Sequence, residues 1–162
     1  EQALGAGRPL VVDADALNLL AESPRHRSDW ILTPHPGEAA RLLALGAADV
    51  HADRFAAAAA LQRRYGGVVV LKGAGSIVQG PGTRPPAVCS AGNPGMATGG
   101  VGDVLTGIVG GLMAQGLGAD DAAEIGVCVH AAAGDRAAEA GERGLVASDL
   151  FAPLRDLLNP RR

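Results

Sequence analysis

The densest chemical signal in the chain is the run Ala91-Gly92-Asn93-Pro94-Gly95-Met96-Ala97-Thr98-Gly99-Gly100-Val101-Gly102-Asp103, which leads directly into an apolar stretch. Glycines let main-chain N–H groups close around an anion with no Cβ in the way, and the first turn of a helix presents unpaired donors at the positive end of its dipole. Gly99, Gly100, Val101 and Gly102 are therefore candidate anion-hole residues, suited to a phosphate. Asp103 sits at the same point, next to whatever the anion is attached to, so anion binding and proton abstraction would share one corner. A plain glycine-rich turn with a capping aspartate would not need so many glycines, because each adds conformational entropy that folding must remove.

Neither a G-x-x-x-x-G-K-[ST] phosphate loop nor a G-x-G-x-x-G after a strand occurs, so both common nucleotide fingerprints are absent. Gly100-Val101-Gly102-Asp103 is by itself a weak G-x-G-D; Asn93-Pro94-Gly95 upstream and Thr98 beside the glycines give it context. The turn Lys72, Gly73, Ala74, Gly75, Ser76 follows a strand, so it reads either as a hairpin with a solvated lysine or as a backbone wrap around a nucleotide with Lys72 adding charge. In Thr33-Pro34-His35-Pro36-Gly37-Glu38, two prolines restrict the backbone around an imidazole, and Glu38 is placed to cap the helix that follows. Asp13, Asp15 and Asn18, at the end of the first strand and the opening of its helix, read as capping residues, with a more distant magnesium or substrate role as the alternative. His130 reads as a hydrogen-bonded packing residue, His26 and His51 as surface, and Met96 as packing for the glycine loop.

These groups need a rigid frame. Aliphatic runs at residues 9–12, 30–32, 68–71 and 76–79 read as strands, the last returning antiparallel at the sheet edge, with residues 80–86 as a surface connection. Residues 16–21, 39–43, 53–65, 104–117, 121–140 and 148–158 read as helices. Gly66-Gly67 stops the third, whose Ala-rich surface reads as a solvated outer face, and Ser148 with Asp149 caps the last. Strand and helix alternate and then helices follow, which predicts one three-layer α/β/α domain over residues 1–162 with a mostly parallel sheet. In such sheets ligands bind at the carboxyl ends of the strands, where these polar residues gather.

Composition narrows the function classes. A hydrophobic fraction of 48% supports a real core, and with aromatics at only 2% that core must be aliphatic and closely packed. The net charge of −3, with basic residues scattered among acids, lacks the stripe that nucleic acid requires. No uncharged run is long enough to span a bilayer, so a soluble, cytoplasmic protein is expected. Cys89 and Cys128 have no C-x-x-C partner and read as two small buried thiols.

The segment GNPGMATGGVGDVLTG (residues 92–107) resembles the signature of the NAD(P)H-hydrate dehydratase family, repair enzymes of the ribokinase-like superfamily. VVDADALN (11–18), LTPHPGEAARLL (32–43), VVLKGAGSIV (69–78) and HAAAGDRAAEAGERGLVASDL (130–150) agree in order, so the resemblance spans nearly the whole chain. It implies an ADP-dependent lyase that restores hydrated NADH or NADPH. The ring hydroxyl is phosphorylated, phosphate then leaves, and ADP gives AMP and phosphate; ATP is the other candidate donor. It places the nucleotide at Lys72, Gly73, Ala74, Gly75, Ser76 and Gly102, the substrate at His35 and Asp103, and Asp103 as the catalytic base. Mg2+ would bridge the nucleotide phosphates, with Glu38 ordering the ion and its waters or serving only as a cap. Two departures stand out: the further N-terminal portion usual in the family has no counterpart here, and Val101 occupies a position that often holds a small polar residue. Further expectations are a homo-oligomer, for instance a tetramer, and an N-terminal companion segment. The competing readings are a ribokinase-like kinase of a vitamin-precursor alcohol and a nucleotide-binding subunit without catalysis.

Overall fold

Short β-branched runs form a sheet, and helices cover both of its faces. The computed structural model describes residues 2–159. Its strands are β1 (Leu10–Val12), β2 (Trp30–Leu32), β3 (Val68–Leu71), β4 (Ser76–Gln79) and β5 (Ala87–Cys89), lying side by side in that order. β1, β2 and β3 are parallel, with Leu10 opposite Trp30 and Ile31 opposite Val68. β4 returns antiparallel to β3, and β5 is antiparallel to β4. β2 and β3 are buried along their whole length, as central strands covered on both faces must be.

After a short α1 (Gln2–Gly5), one helical layer contains α2 (Asp15–Glu22), α3 (Pro36–Leu43), α4 (Ala47–Ala52) and α5 (Arg54–Tyr65). Leu17, Leu42, Val50 and Leu61 from these helices pack with Trp30, Val69 and Leu71 in one core. The other layer is α6 (Val101–Ala114) and α7 (Ala119–Ala137), whose Leu105, Val109 and Val127 pack on Ile31, Val68 and Val70. Behind them α8 (Phe151–Leu158) places Leu154 in a third cluster with Val101, Ala133 and Leu150. Trp30 ties the first layer to the sheet, its indole N–H donating to the Tyr65 carbonyl at 3.1 Å while the Tyr65 hydroxyl donates to the Leu42 carbonyl at 2.7 Å. The chain reverses after α5 through Gly66 and Gly67, both at positive φ, and a side chain on Gly67 would meet the Trp30 carbonyl at 2.3 Å.

Several sequence expectations need correction. β4 is interior to the sheet rather than at its edge, because β5, which follows the expected connection at residues 80–86, pairs along its far side. The stretch 148–158 begins as a 3-10 turn (Ala147–Leu150), and Asp149, not Ser148, caps it by accepting the Val146 N–H at 2.9 Å. Asp13 does not cap α2: the N-cap is Ala14, which makes no side-chain cap. Cys89 is buried but Cys128 is exposed. No helix among the described residues is long and apolar enough to cross a membrane.

Candidate active site

The turn between β3 and β4 faces the loop that enters α6 across a cavity of about 790 Å3. Lys72, Gly73, Ala74, Gly75 and Ser76 all line it, as do His35, Thr98, Val101, Gly102 and His130. The position follows from topology: β3 is the central strand, and the chain leaves its carboxyl end to make the turn.

Lys72 does not reach freely into solvent. Its ammonium donates to Asp13 Oδ1 at 2.8 Å and lies 3.9 Å from Glu38 Oε2. Asp13 Oδ2 accepts from the Thr106 hydroxyl at 2.9 Å, so β1, β3 and α6 meet at this carboxylate. Burial pushes the Asp13 carboxyl up, but Lys72 and Thr106 outweigh that effect and hold its pKa below the ordinary value. The sequence reading of a capping aspartate missed this partner, which lies 59 positions away. The ammonium is also directly beneath Gly102, where an added Cβ would come within 3.4 Å of Nζ.

The Glu38 expectation of a helix cap holds. His35 Nδ1 accepts from the Gly37 N–H at 2.9 Å and the His35 N–H donates to Glu38 Oε2 at 2.7 Å, a reciprocal box at the start of α3. His35 keeps half its side chain exposed at the cavity mouth, its Nε2 3.6 Å from Glu38 Oε1.

The glycine loop is pinned from α7. Asp135 accepts from the Gly92 N–H and from the Asn93 side-chain amide, each at 3.0 Å, and Asn93 Oδ1 in turn accepts from the Gly95 N–H. Met96 packs against Gly134, as its reading as loop packing requires; an added Cβ there would lie 2.3 Å from its sulfur. His130 is buried, and its Nε2–H donates to the Val101 carbonyl at 2.9 Å. It is thus the packing residue expected, but it also lines the cavity and fixes the first residue of α6. Asp135 and His130 act on the loop from more than 25 positions away, so local pattern carried no sign of either role.

α6 begins after Gly100, which takes a left-handed conformation (φ 85°) and provides no side-chain cap. The first-turn amides are therefore left for a ligand. The turn divides two hollows. Val101 and Gly102 line the main cavity, whereas Gly100 and Asp103 line a second groove of about 760 Å3 between α6 and α8. Asp103 is exposed there, so His35 and Asp103 are not brought into one cavity, and Gly99 lines neither. Among the described residues no three His, Cys, Asp or Glu side chains cluster as a metal cage.

This three-layer α/β/α unit, with uncapped helix amides facing a strand-end turn, superposes on a ribokinase-like superfamily protein of Enterococcus faecalis with a TM-score of 0.80 at 28% identity, covering 93% of this chain and 52% of that one, which gives its class as ribokinase-like. Within that class the chain belongs to the NAD(P)H-hydrate dehydratase family, whose model matches residues 1–155. It is 60% identical over 153 residues to the bifunctional NAD(P)H-hydrate repair enzyme of Coxiella burnetii, covering 94% of this chain and 31% of that protein. To the ADP-dependent (S)-NAD(P)H-hydrate dehydratase of Neisseria meningitidis it is 44% identical over 160 residues, covering 94% of this chain and 54% of that one. The crystal structure of the Bacillus subtilis ADP/ATP-dependent NAD(P)H-hydrate dehydratase, co-crystallised with ATP/Mg2+, superposes with a TM-score of 0.82 at 27% identity, covering 96% of this chain and 56% of that one. The chain thus spans about a third of the bifunctional relative and about half of each of the others.

Proposed function

We propose that this chain carries the nucleotide side of an ADP-dependent NAD(P)H-hydrate dehydratase. The observation that carries the reading is the cavity between the Lys72 to Ser76 turn and the uncapped start of α6, which offers main-chain donors on two sides and a fixed ammonium beneath. ADP would lie along Lys72, Gly73, Ala74, Gly75 and Ser76, its terminal phosphoryl group approaching Gly102 and the amides of residues 99–102. Donors aimed at a transferring phosphoryl group are worth about 3 kcal/mol of barrier each in comparable oxyanion sites. The hydrate would present its ring hydroxyl from the Asp103 groove, with His35 at the cavity mouth as a further substrate contact. Asp103 would take the hydroxyl proton as the phosphorus–oxygen bond forms. Loss of phosphate from that ring carbon, with a proton leaving the neighbouring ring carbon as its C–H electrons form the double bond, then leaves AMP, phosphate and NADH or NADPH.

Mg2+ fits this site as a partner of the phosphates rather than of a protein cage, since it retains several waters and takes few carboxylates. Glu38 Oε1, 3.6 Å from His35 Nε2, would be the oxygen that orders those waters. The ion supplies charge neutralisation on the phosphates. A cytoplasmic homo-oligomer and an N-terminal companion segment belong to the same reading. The separation of Asp103 from the main cavity, and a β1 whose outer edge pairs with no strand among the described residues, support a contribution from additional chain.

The test is recovery of dihydronicotinamide absorbance from hydrated NADH with Mg2+ and ADP or ATP, using the chain alone and then with a co-expressed companion segment. Turnover that Asp103→Asn abolishes, with ADP affinity kept within about threefold, is the expected outcome. Accumulation of a phosphorylated alcohol would favour the kinase reading. ADP binding with no turnover in either form would leave a nucleotide-binding subunit.

A further inference from the structure

Arg54 stands in an unfavourable place. It is the first residue of α5, where a cation opposes the helix dipole, and Asp53 already caps that end by accepting the Ala56 N–H at 2.8 Å. Its side chain turns inward rather than lying on the solvated face that the Ala-rich sequence predicts. Its Nε is buried without a partner. Burial also pulls the guanidinium pKa below its ordinary value. None of this helps α5, so the reason for the placement lies where the fork points.

The fork points at the back of the β3–β4 turn. Nη2 donates to the carbonyls of Leu71 at 3.1 Å and Lys72 at 3.3 Å, and Nη1 donates to the carbonyl of Ala74. In a trans peptide the N–H points opposite to the C=O of the same plane. Turning the Lys72 and Ala74 carbonyls toward Arg54 therefore turns the N–H groups of Gly73 and Gly75 away from it. Both glycines line the cavity, and neither N–H has a main-chain acceptor among the turn bonds of the described residues. The turn needs glycine at both positions (φ 137° and 67°), and the guanidinium fills the space behind, 3.2 Å from where a Gly73 Cβ would stand.

We propose that Arg54 is a positioning residue of the nucleotide turn: by bonding three carbonyls from behind, it aims the Gly73 and Gly75 amides at an anionic ligand in the cavity. This rests on the nucleotide reading above. Lysine keeps the charge at this position but lacks a planar fork that can serve three carbonyls at fixed angles.

The test is calorimetric titration of ADP with Mg2+ into the parent chain, Arg54→Ala and Arg54→Lys, well below each unfolding midpoint, with methylguanidinium added to the alanine variant. Expected results are ADP affinity lowered about tenfold in both variants, as the Gly73 and Gly75 amides lose their fixed direction, and part of it restored to Arg54→Ala by methylguanidinium. Should Arg54→Ala fail to fold, Arg54→Lys carries the test. Parent-like affinity in a folded Arg54→Ala, or full recovery by lysine, would overturn the aiming role while leaving the nucleotide reading intact. A parent chain that binds no ADP would overturn both.

Discussion

His130 links burial, protonation and the α6 start in one side chain. Burial is the largest influence on its pKa and lowers it; the bond to the Val101 carbonyl raises it in part, and the Lys72 ammonium lowers it further, so the net is below 6.5. The folded state therefore holds the neutral ring, with the proton on Nε2 where it meets the carbonyl. Above the unfolded-state pKa both states are neutral and the folded protein keeps its full stability. As pH falls below that value the unfolded chain takes up the proton first, so stability is lost progressively until the pH has passed the folded pKa. Asp13 acts in a separate window, since its depressed carboxyl costs stability only as pH falls below 3.8. Urea unfolding from about pH 8 down to about pH 5 should show a declining midpoint in the parent chain and a flatter profile in His130→Gln. Equal slopes in the two proteins would show that the ring does not titrate as a buried neutral group.

At the level of elements, the site depends on how closely α7 approaches the glycine loop. Gly134→Ala places a methyl group 2.3 Å from the Met96 sulfur, and because that side chain is flexible the relief comes from expelling it rather than from moving α7. The expected cost is about 1–3 kcal/mol of stability, read as a lowered unfolding midpoint, accompanied by weaker ADP binding as the loop loses its packing. Unchanged affinity would detach Met96 from loop geometry. The strands β1, β2 and β3 were legible as short aliphatic runs and β4 as a return from the turn after β3, and the glycine loop, the Lys72 turn and the proline-framed His35 were legible because chain neighbours define them. β5 was not: it is three residues long, follows Pro85-Pro86, and is held by Ala87 and Cys89 pairing with β4 rather than by its own pattern. α4 was likewise hidden, its only buried residue being Val50. The roles of Asp13, Arg54 and Asp135 were illegible for a different reason, since each is made by a partner brought close only when the layers assemble.

For the molecule as a whole, the cavity is a seam between layers. One wall, the β3–β4 turn, is braced by Arg54 from the α5 layer; the other, formed by Val101, Gly102 and His130, belongs to α6 and α7. A ligand held by both walls binds only when the layers are docked, so it must stabilise the folded state by mass action. At a hundredfold excess over its dissociation constant a nucleotide should add about 2.7 kcal/mol, which for a chain of this size raises the unfolding midpoint by roughly 5–10 °C. Differential scanning calorimetry with rising ADP and Mg2+ should show that increase. The same scan with Gly102→Ala should show a smaller one, because the Cβ, in contact distance of Lys72 Nζ and Asp13 Oδ2, takes up cavity space next to the ammonium that a phosphate would occupy. An increase of the same size in both proteins would mean that the nucleotide is held by the turn alone. It would then not reach the amides of α6, and phosphoryl transfer at that helix start would lose its geometric basis.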